Sequence, residues 1–407
     1  MAVIDDVDVV IAGGGAAGLA LALALNVAAG SALKVAVCDP ELARDRRGDS
    51  RAYAIVAGAI RFFDSIGAWQ AMRDEAQPIL RMEITDSRLE DLVRMPLLTF
   101  GAATQDEAPP AMMLANGTIL AALMARARSA GLSLFSEPVS GFDQTGGRIA
   151  AIVGGRRLRA RLLVIADGRG SRLRERAGIA YHGWRYPQTA IVGTIHHTLD
   201  HEGVAVQHFL PAGPFALLPL KGRRCSIVWN ERPETVERLL RCDSDDLVTE
   251  IDRRAAGRFG TVTRVEGLAS FPMSIGIARR FVGPRLALLG DAAHGFHPIA
   301  GQGLNYGLRG AAALAETIID AARLGLDIGS ETALGPYEAA RRPDVMAMAA
   351  ATETLNRLFS NDFGPLRAIR DLGLSLVDRL PGLGARFMQE AAGDSSRAPR
   401  AFRGLPI

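Results

Sequence analysis

The 407-residue sequence has little cysteine and almost no lysine. Its three cysteines, Cys38, Cys225 and Cys242, lie far apart and form no C-x-x-C pair, which argues against a disulfide framework or a cysteine-based zinc site. Lysine occurs only at Lys34 and Lys221, the net charge is +3, and the arginines are scattered. This charge pattern argues against a nucleic-acid-binding surface, and the low cysteine content fits a reducing cytoplasm.

The sequence also lacks a long apolar run. Its longest, residues 16–29, is interrupted by Asn26 and is shorter than the ~20 residues that a bilayer-spanning helix needs. Asp5, Asp6 and Asp8 occupy the region where a signal peptide would carry positive charge. With 48% apolar and 22% charged residues, we expect a globular cytoplasmic protein that is neither exported nor membrane-spanning.

A glycine motif follows the first predicted strand. Residues 7–12 predict a buried strand, and Gly13-x-Gly15-x-x-Gly18 leads from it into an Ala/Leu-rich helix that reaches about residue 29. In such a junction Gly13 allows the tight turn, Gly15 lets a pyrophosphate approach, and Gly18 lets the helix pack closely. The helix N-terminus offers free N–H groups to phosphates. The pattern predicts a dinucleotide site, either for NAD or for FAD; the alternative is a glycine turn in an ordinary βαβ unit.

Aspartates end two further predicted strands. The second strand ends at Asp39, about ~20 residues downstream of the motif, where a carboxylate meets a ribose hydroxyl. The strand 162–166 ends in ADGRGSRLRERAG, which places Asp167 and a helix start at a sheet edge. The alternative here is an N-cap, in which Asp167 or Ser171 satisfies free helix N–H groups.

The third motif is LALLGDAAHGFHPIAGQGLNYGLRG, residues 286–310. The strand 286–289 is closed by Gly290 and Asp291, whose carboxylate can accept from a ribityl hydroxyl. The turn HPIAGQG then leads into a helix at about Leu304. That helix start would direct its dipole at the negative charge that a reduced flavin carries over N1 and the C2 carbonyl. The junction is therefore predicted to hold an isoalloxazine ring.

Taken in this order, the three motifs resemble the aromatic-hydroxylase family of FAD-dependent monooxygenases. Within it the chain is similar to the ubiquinone-biosynthesis hydroxylases, through HPIAGQGLNYG, DSRAYAI, WRYPQ, FLPAGPFALLPL, RRPD and LNRLFSND. The resemblance covers nearly the whole chain and implies an α/β fold. It implies a Rossmann-like FAD-binding domain in residues 1–178 and 273–325, a β-sheet substrate domain in 179–272, and a C-terminal helical region in 326–407.

The resemblance also implies the residues of the site. The FAD would be held by Gly13, Gly15, Ala17, Gly18, Asp39, Arg51, Asp167, Gly290, Asp291, Pro298, Gly301, Gly303, Leu304 and Asn305. The residues beside the reacting ring, taken as catalytic, are Pro298, Gly301, Gln302 and Gly303. No metal site is expected, because the four histidines between residues 196 and 208 have no further Cys or His at metal spacing.

Five residues allow more than one interpretation. His294 and His297 lie beside the predicted flavin and are candidates for a polar contact with it; for His297, which precedes Pro298, stabilisation of the turn is the alternative. Trp184 and Tyr186 contact substrate or fill core, and we favour the core for Trp184. Gly310 stands where the family usually has Asp, which would leave the helix start less firmly held, and glycine inside a helix costs ~1 kcal/mol relative to Ala.

The function implied is hydroxylation of a polyprenylated phenol in ubiquinone biosynthesis. In the family, NAD(P)H reduces FAD and leaves, O₂ adds at C4a to give a hydroperoxide, and an electron-rich ring takes up the distal oxygen. Two alternatives are kept. One is a flavin-dependent isoprenoid reductase or dehydrogenase, and the other is a non-catalytic flavoprotein that scaffolds a quinone-biosynthesis complex.

The C-terminal segment 363–389 interleaves apolar residues with arginines. A helix of this kind can lie in a membrane interface, which would bring the protein to the inner membrane as a peripheral protein. A helix packed on its own domain is the more common alternative. In both cases we expect an apolar opening for the prenyl tail between the sheet domain and the C-terminal helices.

Overall fold

A computed structural model describes residues 4–49, 51–86, 89, 96–101, 109–296, 301–359 and 397–407. Within these ranges the strands are β1 (Ile4–Asp6), β2 (Val9–Ala12), β3 (Val35–Cys38), β4 (Ala52–Val56), β5 (Gln77–Ile79), β6 (Arg81–Asp86), β7 (Leu98–Gly101), β8 (Ala111–Ala115), β9 (Ser133–Phe135), β10 (Val139–Thr145), β11 (Arg148–Val153), β12 (Arg156–Ala160), β13 (Leu162–Ile165), β14 (Tyr181–His197), β15 (Val204–Leu210), β16 (Gly213–Leu220), β17 (Arg224–Glu231), β18 (Val262–Ala278), β19 (Val282–Gly283), β20 (Leu286–Leu288) and β21 (His294–Gly295). The α-helices in the same ranges are α1 (Ala16–Ala29), α2 (Ala57–Ser65), α3 (Asn116–Ser129), α4 (Arg172–Arg176), α5 (Pro233–Leu239), α6 (Ser244–Ala255), α7 (Gln302–Arg323) and α8 (Glu331–Phe359).

The glycine motif opens a six-stranded sheet in the order β19-β20-β13-β2-β3-β9. Strand β2 pairs in parallel with β3 and β13, and β13 pairs in parallel with β20. Every residue of these four strands is buried, as expected for parallel strands that are covered on both faces. Their carboxyl ends therefore meet at one edge of the sheet, and the predicted α/β fold class is confirmed.

Small residues bring α1, α7 and the turn after β20 into contact beside this sheet. A Cβ added at Gly290 would lie 3.7 Å from the Cβ of Ala17, and one added at Gly307 would lie 3.6 Å from it. The backbones of three separate motifs thus approach each other around one alanine side chain. Helix α1 ends at Ala29 as predicted, and α7 begins at Gln302, two residues before the predicted start.

A second sheet of eight strands has the order β21-β18-β14-β17-β16-β15-β6-β7. Its two longest strands, β14 and β18, have 17 residues each and pair antiparallel. One face packs in a separate core with α5 and α6, which includes Ile191, Phe215 and Trp229. The sheet also contains β6 and β7, which lie in the stretch assigned to the first FAD-binding segment; the proposed domain boundaries stay a prediction.

Beyond residue 316 the described chain is mainly helical, as expected. Helix α8 contains Pro336 and Pro343, and the chain ends in a 3₁₀ turn, Arg400–Arg403. In the described ranges, none of the helices has the length and apolar character needed to cross a bilayer. The segment 363–389 and the residues from His297 to Ala300 lie outside the described residues.

Gly310 lies in α7 where the helix passes the end of β20. A Cβ added there would lie 3.1 Å from Leu289 Cδ1 and 3.7 Å from the Tyr337 hydroxyl, so little room exists for a larger side chain. The Tyr337 hydroxyl donates to the Leu288 carbonyl at 2.8 Å and links α8 to β20. The start of α7 is held separately by Asn305, as described below, so Gly310 does not leave it loose.

A buried ionic cluster joins α7 to α8. Asp344 accepts from Arg341, and Arg309 Nη1 lies 3.4 Å from the same carboxylate. Both guanidiniums are buried, and the Arg341 guanidinium carbon lies 5.3 Å from the Tyr306 ring centroid. One carboxylate therefore neutralises charge on two buried cations, and its loss would leave both with reduced compensation.

We predict that Asp344→Asn destabilises the fold by about 3 kcal/mol, because removing one member of a buried ionic cluster typically costs ~3–5 kcal/mol. The control is Asp320→Asn, since Asp320 is half exposed, pairs with Arg400 and should contribute less than ~1 kcal/mol. Urea unfolding followed by fluorescence measures both changes. Equal shifts of the two midpoints would contradict a special role for the cluster.

Candidate active site

The three glycines of the first motif have different surroundings. Gly13 has φ +127°, and a Cβ there would lie 2.2 Å from the Ala166 carbonyl oxygen. A Cβ at Gly18 would lie 2.0 Å from the Gly13 carbonyl oxygen, so both positions are fixed by sterics. A Cβ at Gly15 meets no heavy atom within 4 Å. Gly15 is also the N-cap of α1 and has no side-chain cap, so open space faces a helix N-terminus, which fits a phosphate group.

Asp39 holds the glycine turn in place. Its Oδ2 accepts from the Gly14 amide at 2.6 Å, and its Oδ1 accepts from the Glu41 amide at 2.8 Å. Each carboxylate oxygen has two acceptor sites, so a ribose hydroxyl can still bind. The shorter Asp side chain therefore connects β3 to the glycine turn, in addition to the predicted ribose contact.

Arg51 is held by Asp49, a residue that the sequence analysis missed. Arg51 donates from Nε to Asp49 Oδ1 at 2.9 Å and from Nη2 to Oδ2 at 2.6 Å, and Asn116 Nδ2 donates to the same Oδ2 at 2.7 Å. Burial raises the pKa of Asp49, but the hydrogen bonds from Arg51 and Asn116 outweigh it and lower the pKa to about 2. Asp49 is therefore ionised near neutral pH and fixes the direction of the Arg51 guanidinium. The D-x-R spacing in DSRAYAI was the available signal.

The second motif contains the N-cap of α4 and the carboxyl group of Asp167. Ser171 Oγ accepts from the Arg174 amide at 3.0 Å, which confirms the N-cap interpretation for Ser171. Asp167 hydrogen bonds with Ser171, and burial raises the pKa of Asp167. The contact of Asp167 with the cofactor stays a prediction.

Arg174 connects the second motif to the third. It is buried, and its Nη1 donates to the Arg169 carbonyl at 3.2 Å and to the Ala292 carbonyl at 3.0 Å. Its guanidinium carbon lies 4.1 Å from the ring centroid of Tyr181. Arg174 thus holds the loop after β13 against the turn after β20.

Arg169 and Asp291 form the charged part of the site nearest the sheet. Arg169 Nη2 lies 3.8 Å from Asp291 Oδ2, and its Nη1 donates to Ser274 Oγ at 3.0 Å. The surrounding protein raises the pKa of Asp291, and the nearby Arg169 partly opposes this. Arg169 was not among the predicted site residues, although it lies in the quoted ADGRG sequence.

The start of α7 is held against β4 by the side chain of Asn305. Gly301 has φ +61° and is the N-cap, and a Cβ at Gly301 or at Gly303 meets no heavy atom of the described residues within 4 Å. Asn305 Oδ1 accepts from the Val56 amide at 3.2 Å, and its Nδ2 donates to the Ala54 carbonyl at 2.8 Å. Both hydrogen bonds connect α7 to β4, so the Asn305 side chain holds the helix start in place. Gln302 and Leu304 are half-buried beside this start, and Pro298 lies outside the described residues.

His294 is packed in an aromatic cluster. Its ring lies 4.9 Å from the Phe296 centroid and 6.3 Å from that of Tyr306. Burial lowers the pKa of His294 to about 3, and the positive charge of Arg341 contributes to the same shift. The imidazole is therefore neutral in this structure, which agrees with a packing role; His297 lies outside the described residues.

A cavity of about 460 Å³ separates these motifs from the eight-stranded sheet. On one side it is lined by Arg51, Tyr53, Arg169, Asp291 and Gly301, and on the other by side chains of β14 to β18. The cavity therefore brings together Arg51, Asp291 and Gly301 of the predicted set. It does not include Gly13, Gly15, Gly18 and Asp39, which lie at the first turn.

Trp184 and Tyr186 lie near the start of β14. Trp184 is 50% exposed, so its predicted core role is wrong; the first residues of β14 extend beyond the core. Tyr186 donates to Glu353 on α8.

Among the described residues no three His, Cys, Asp or Glu side chains form a group suited to a metal. His197 and His201 are buried and hydrogen bond to the carbonyls of Leu199 and Leu220.

Comparison with known sequences agrees with these motifs. A family described as "FAD binding domain" matches residues 6–352. The chain is 41% identical to the ubiquinone hydroxylase UbiL of Rhodospirillum rubrum, over 98% of this chain and 93% of that protein. It is 31% identical to the 3-demethoxyubiquinol 3-hydroxylase of Escherichia coli, over 95% and 98%. It is 30% identical to the mitochondrial ubiquinone biosynthesis monooxygenase COQ6 of Mus musculus, over 95% and 90%.

Solved structures share the fold. The p-nitrophenol 4-monooxygenase PnpA of Pseudomonas putida superposes with a TM-score of 0.76 at 21% identity, over 95% of this chain and 98% of that one. The anhydrotetracycline hydroxylase OxyS of Streptomyces rimosus superposes with a TM-score of 0.71 at 23% identity, over 95% and 76%. At these identities the comparison establishes the fold. The substrate has to be inferred from the side chains that line the cavity.

We predict that Gly15→Val lowers FAD binding at least about tenfold without unfolding the protein. An added Cβ meets no heavy atom of the described residues within 4 Å, so we expect the fold to be kept, while the valine side chain occupies the space at the start of α1 that a pyrophosphate would need. The control is Gly335→Ala, because Gly335 also faces open space, on α8. Flavin released on denaturation, measured per polypeptide, reports the result; full FAD content in Gly15→Val would contradict this placement of the pyrophosphate.

Proposed function

We infer that this chain, which belongs to the FAD-dependent aromatic-hydroxylase family and to its ubiquinone-biosynthesis group, hydroxylates the ring of a polyprenylated phenol. The observation that carries the proposal is the cavity that has flavin-motif residues on one side and an apolar sheet on the other. An aromatic ring in this cavity would lie beside Gly301 at the start of α7. The relatives named above as hydroxylases and a monooxygenase match along nearly their full length, which favours oxygen insertion.

The residues present fit FAD, and we propose the following arrangement. The pyrophosphate lies at the start of α1 beside Gly15, and Asp39 takes the adenosine ribose. Asp291 takes the ribityl region, while Gly301 and Gly303 face the ring. Bound FAD supplies the redox chemistry that activates O₂, with NAD(P)H as a transient reductant.

The protein's own contribution is orientation, charge placement and exclusion of water. Asp49 fixes Arg51, and Asn305 fixes the N-terminus of α7, whose partial positive charge stabilises negative charge on a bound group. The Val and Ala side chains of the sheet keep the opposite wall dry, which strengthens the electrostatic effect of these groups.

The two alternatives are less well supported. A reductase or dehydrogenase would share the FAD site, but the matched relatives carry hydroxylase or monooxygenase names. The scaffold hypothesis was motivated by Gly310, and the start of α7 is held by Asn305 despite that glycine. Contact with other quinone-biosynthesis proteins and with a membrane surface stays a proposal, because segment 363–389 lies outside the described residues.

We propose that the prenyl tail lies in a groove of about 650 Å³ between the sheet and α8. Apolar side chains line part of the groove, and charged side chains line another part. The apolar ones are Trp184, Ile275, Ile277, Met346 and Ala349, and the charged ones are Arg279, Arg342 and Glu353. It adjoins the cavity along β18, because Met273 lines the cavity and Ile275, two residues further on, lines the groove. A tail that leaves the ring in this direction would cover the exposed Trp184 and Met346 side chains. The groove fits the opening expected from the sequence.

We predict that the purified protein, with NAD(P)H and a prenylphenol, transfers one atom of ¹⁸O₂ into the phenol. The physical reason is that the ring and the flavin motifs share one cavity from which the apolar sheet excludes water. Mass spectrometry of the product measures the label, and H₂¹⁸O under ¹⁶O₂ is the control. Reduction of the substrate under anaerobic conditions, with no label in air, would favour the reductase and contradict the hydroxylase.

We also predict that Trp184→Ala raises the KM for a long-tailed prenylphenol about fivefold and leaves the KM for a tail-free phenol unchanged. The loss of about 40 Å² of apolar contact corresponds to ~1 kcal/mol, since burial contributes ~25 cal/mol per Å². Leu199→Ala is the matched control, because Leu199 is 57% exposed and does not line the groove. The same change in KM for both substrates would exclude a tail-specific contact.

A further inference from the structure

Gln207 is one of three polar residues, with Ser226 and Asn230, on the otherwise apolar face that the eight-stranded sheet turns toward the cavity. Alternate side chains of a strand point to opposite faces, so β17 gives Ile227 and Trp229 to the core with α5 and α6, and Val228 to the cavity. The register places Gln207 in one row with Ala216 and Val228 across β15, β16 and β17. Gln207 therefore lies on the cavity face, in the same row as two apolar side chains.

The Gln207 side chain is mostly buried in the cavity wall, where the residue is 8% exposed, and its amide faces the cavity without a hydrogen-bond partner among the described residues. A primary amide has two donors and an acceptor, and a ligand that filled the cavity without bonding to them would bury them unpaired at a cost in free energy. The unpaired amide thus indicates that a polar group of a ligand bonds to it when the cavity is filled.

The rest of the cavity defines the chemistry of that group. The neighbouring polar side chains on β17 are Ser226 and Asn230, and among the described residues the sheet contributes no charged side chain to the cavity. The charged residues come from the flavin side, where Arg51 is paired with Asp49 and Arg169 with Asp291. A neutral hydroxyl group on an aromatic ring matches these neutral donors and acceptors, and the ring itself matches the Val and Ala side chains.

We propose that Gln207 binds the phenolic hydroxyl of the substrate and so orients its ring toward the flavin side of the cavity. This inference rests on the proposed function and adds the residue that would recognise the ring oxygen. The amide oxygen accepts the phenol O–H, and the apolar row beside it contacts the ring face. Gln207 is then a residue that determines substrate orientation, and it takes no part in holding FAD.

The test compares a prenylphenol with a two-isoprene tail and its methyl ether, which keeps the ring but lacks the O–H donor. In the wild-type enzyme we expect the KM of the ether to exceed that of the phenol about tenfold, equivalent to ~1.4 kcal/mol. In Gln207→Leu and in Gln207→Met we expect a ratio near one, because the amide that distinguishes the two substrates is gone. A purely structural role would raise both KM values together and leave the ratio at its wild-type value.

FAD content and NAD(P)H oxidation without substrate should stay at wild-type levels in both variants. The control is Gln70→Leu, because Gln70 is exposed and does not line the cavity. It should keep the wild-type ratio. A wild-type enzyme that hydroxylates the phenol but shows the same ratio as Gln207→Leu and Gln207→Met would overturn the assignment of Gln207 alone. A wild-type enzyme that inserts no labelled oxygen would overturn the proposed function as well.

Discussion

The site depends on the close approach of three backbone segments around Ala17. The start of α1, the turn at Gly290 and the passing helix α7 at Gly307 meet there so closely that a Cβ added at either glycine would already touch the Ala17 methyl group, at 3.7 and 3.6 Å. Their contact places the turn that carries Asp291 near the start of α1, where Gly15 lies. A branched side chain at any of these three positions would separate the segments, because protein interiors are closely packed and cannot absorb the added volume.

Three side chains then hold the segments around the site in place by hydrogen bonds to backbone groups. Asp39 connects β3 to the glycine turn, Arg174 connects the loop after β13 to Ala292, and Asn305 connects α7 to β4. Each of these side chains bonds an amide or a carbonyl of a distant segment. Their role in the fold is therefore separate from any contact they make with FAD, and losing one would be expected to displace the site as well as weaken it.

The buried parallel strands and the motifs at their ends could be predicted from the sequence. Strands made only of Val, Ile, Leu, Ala and Cys can be recognised locally, and the glycine spacing locates the first turn. The sequence could not reveal that Asp49 holds Arg51 or that Arg169 faces Asp291, because those partners follow from side-chain directions and from contacts between distant segments. The same reason explains the error at Trp184, where an aromatic residue in a strand predicts burial but the strand extends beyond its core.

The two faces of the eight-stranded sheet have different roles. One face packs in the core with α5 and α6, and the other lines the cavity. Along β17 the side chains of Cys225, Ile227 and Trp229 are buried in the core with α5 and α6, while Ser226 and Val228 line the cavity. Because neighbouring residues serve opposite faces, a substitution on the cavity face can change the polarity of that wall while the packing with α5 and α6 is kept. The flavin side of the cavity has no such freedom, since its residues also hold the motifs together. Differences in substrate among proteins with this fold are therefore expected to arise on the sheet, where this chain places the neutral polar groups of Gln207, Ser226 and Asn230.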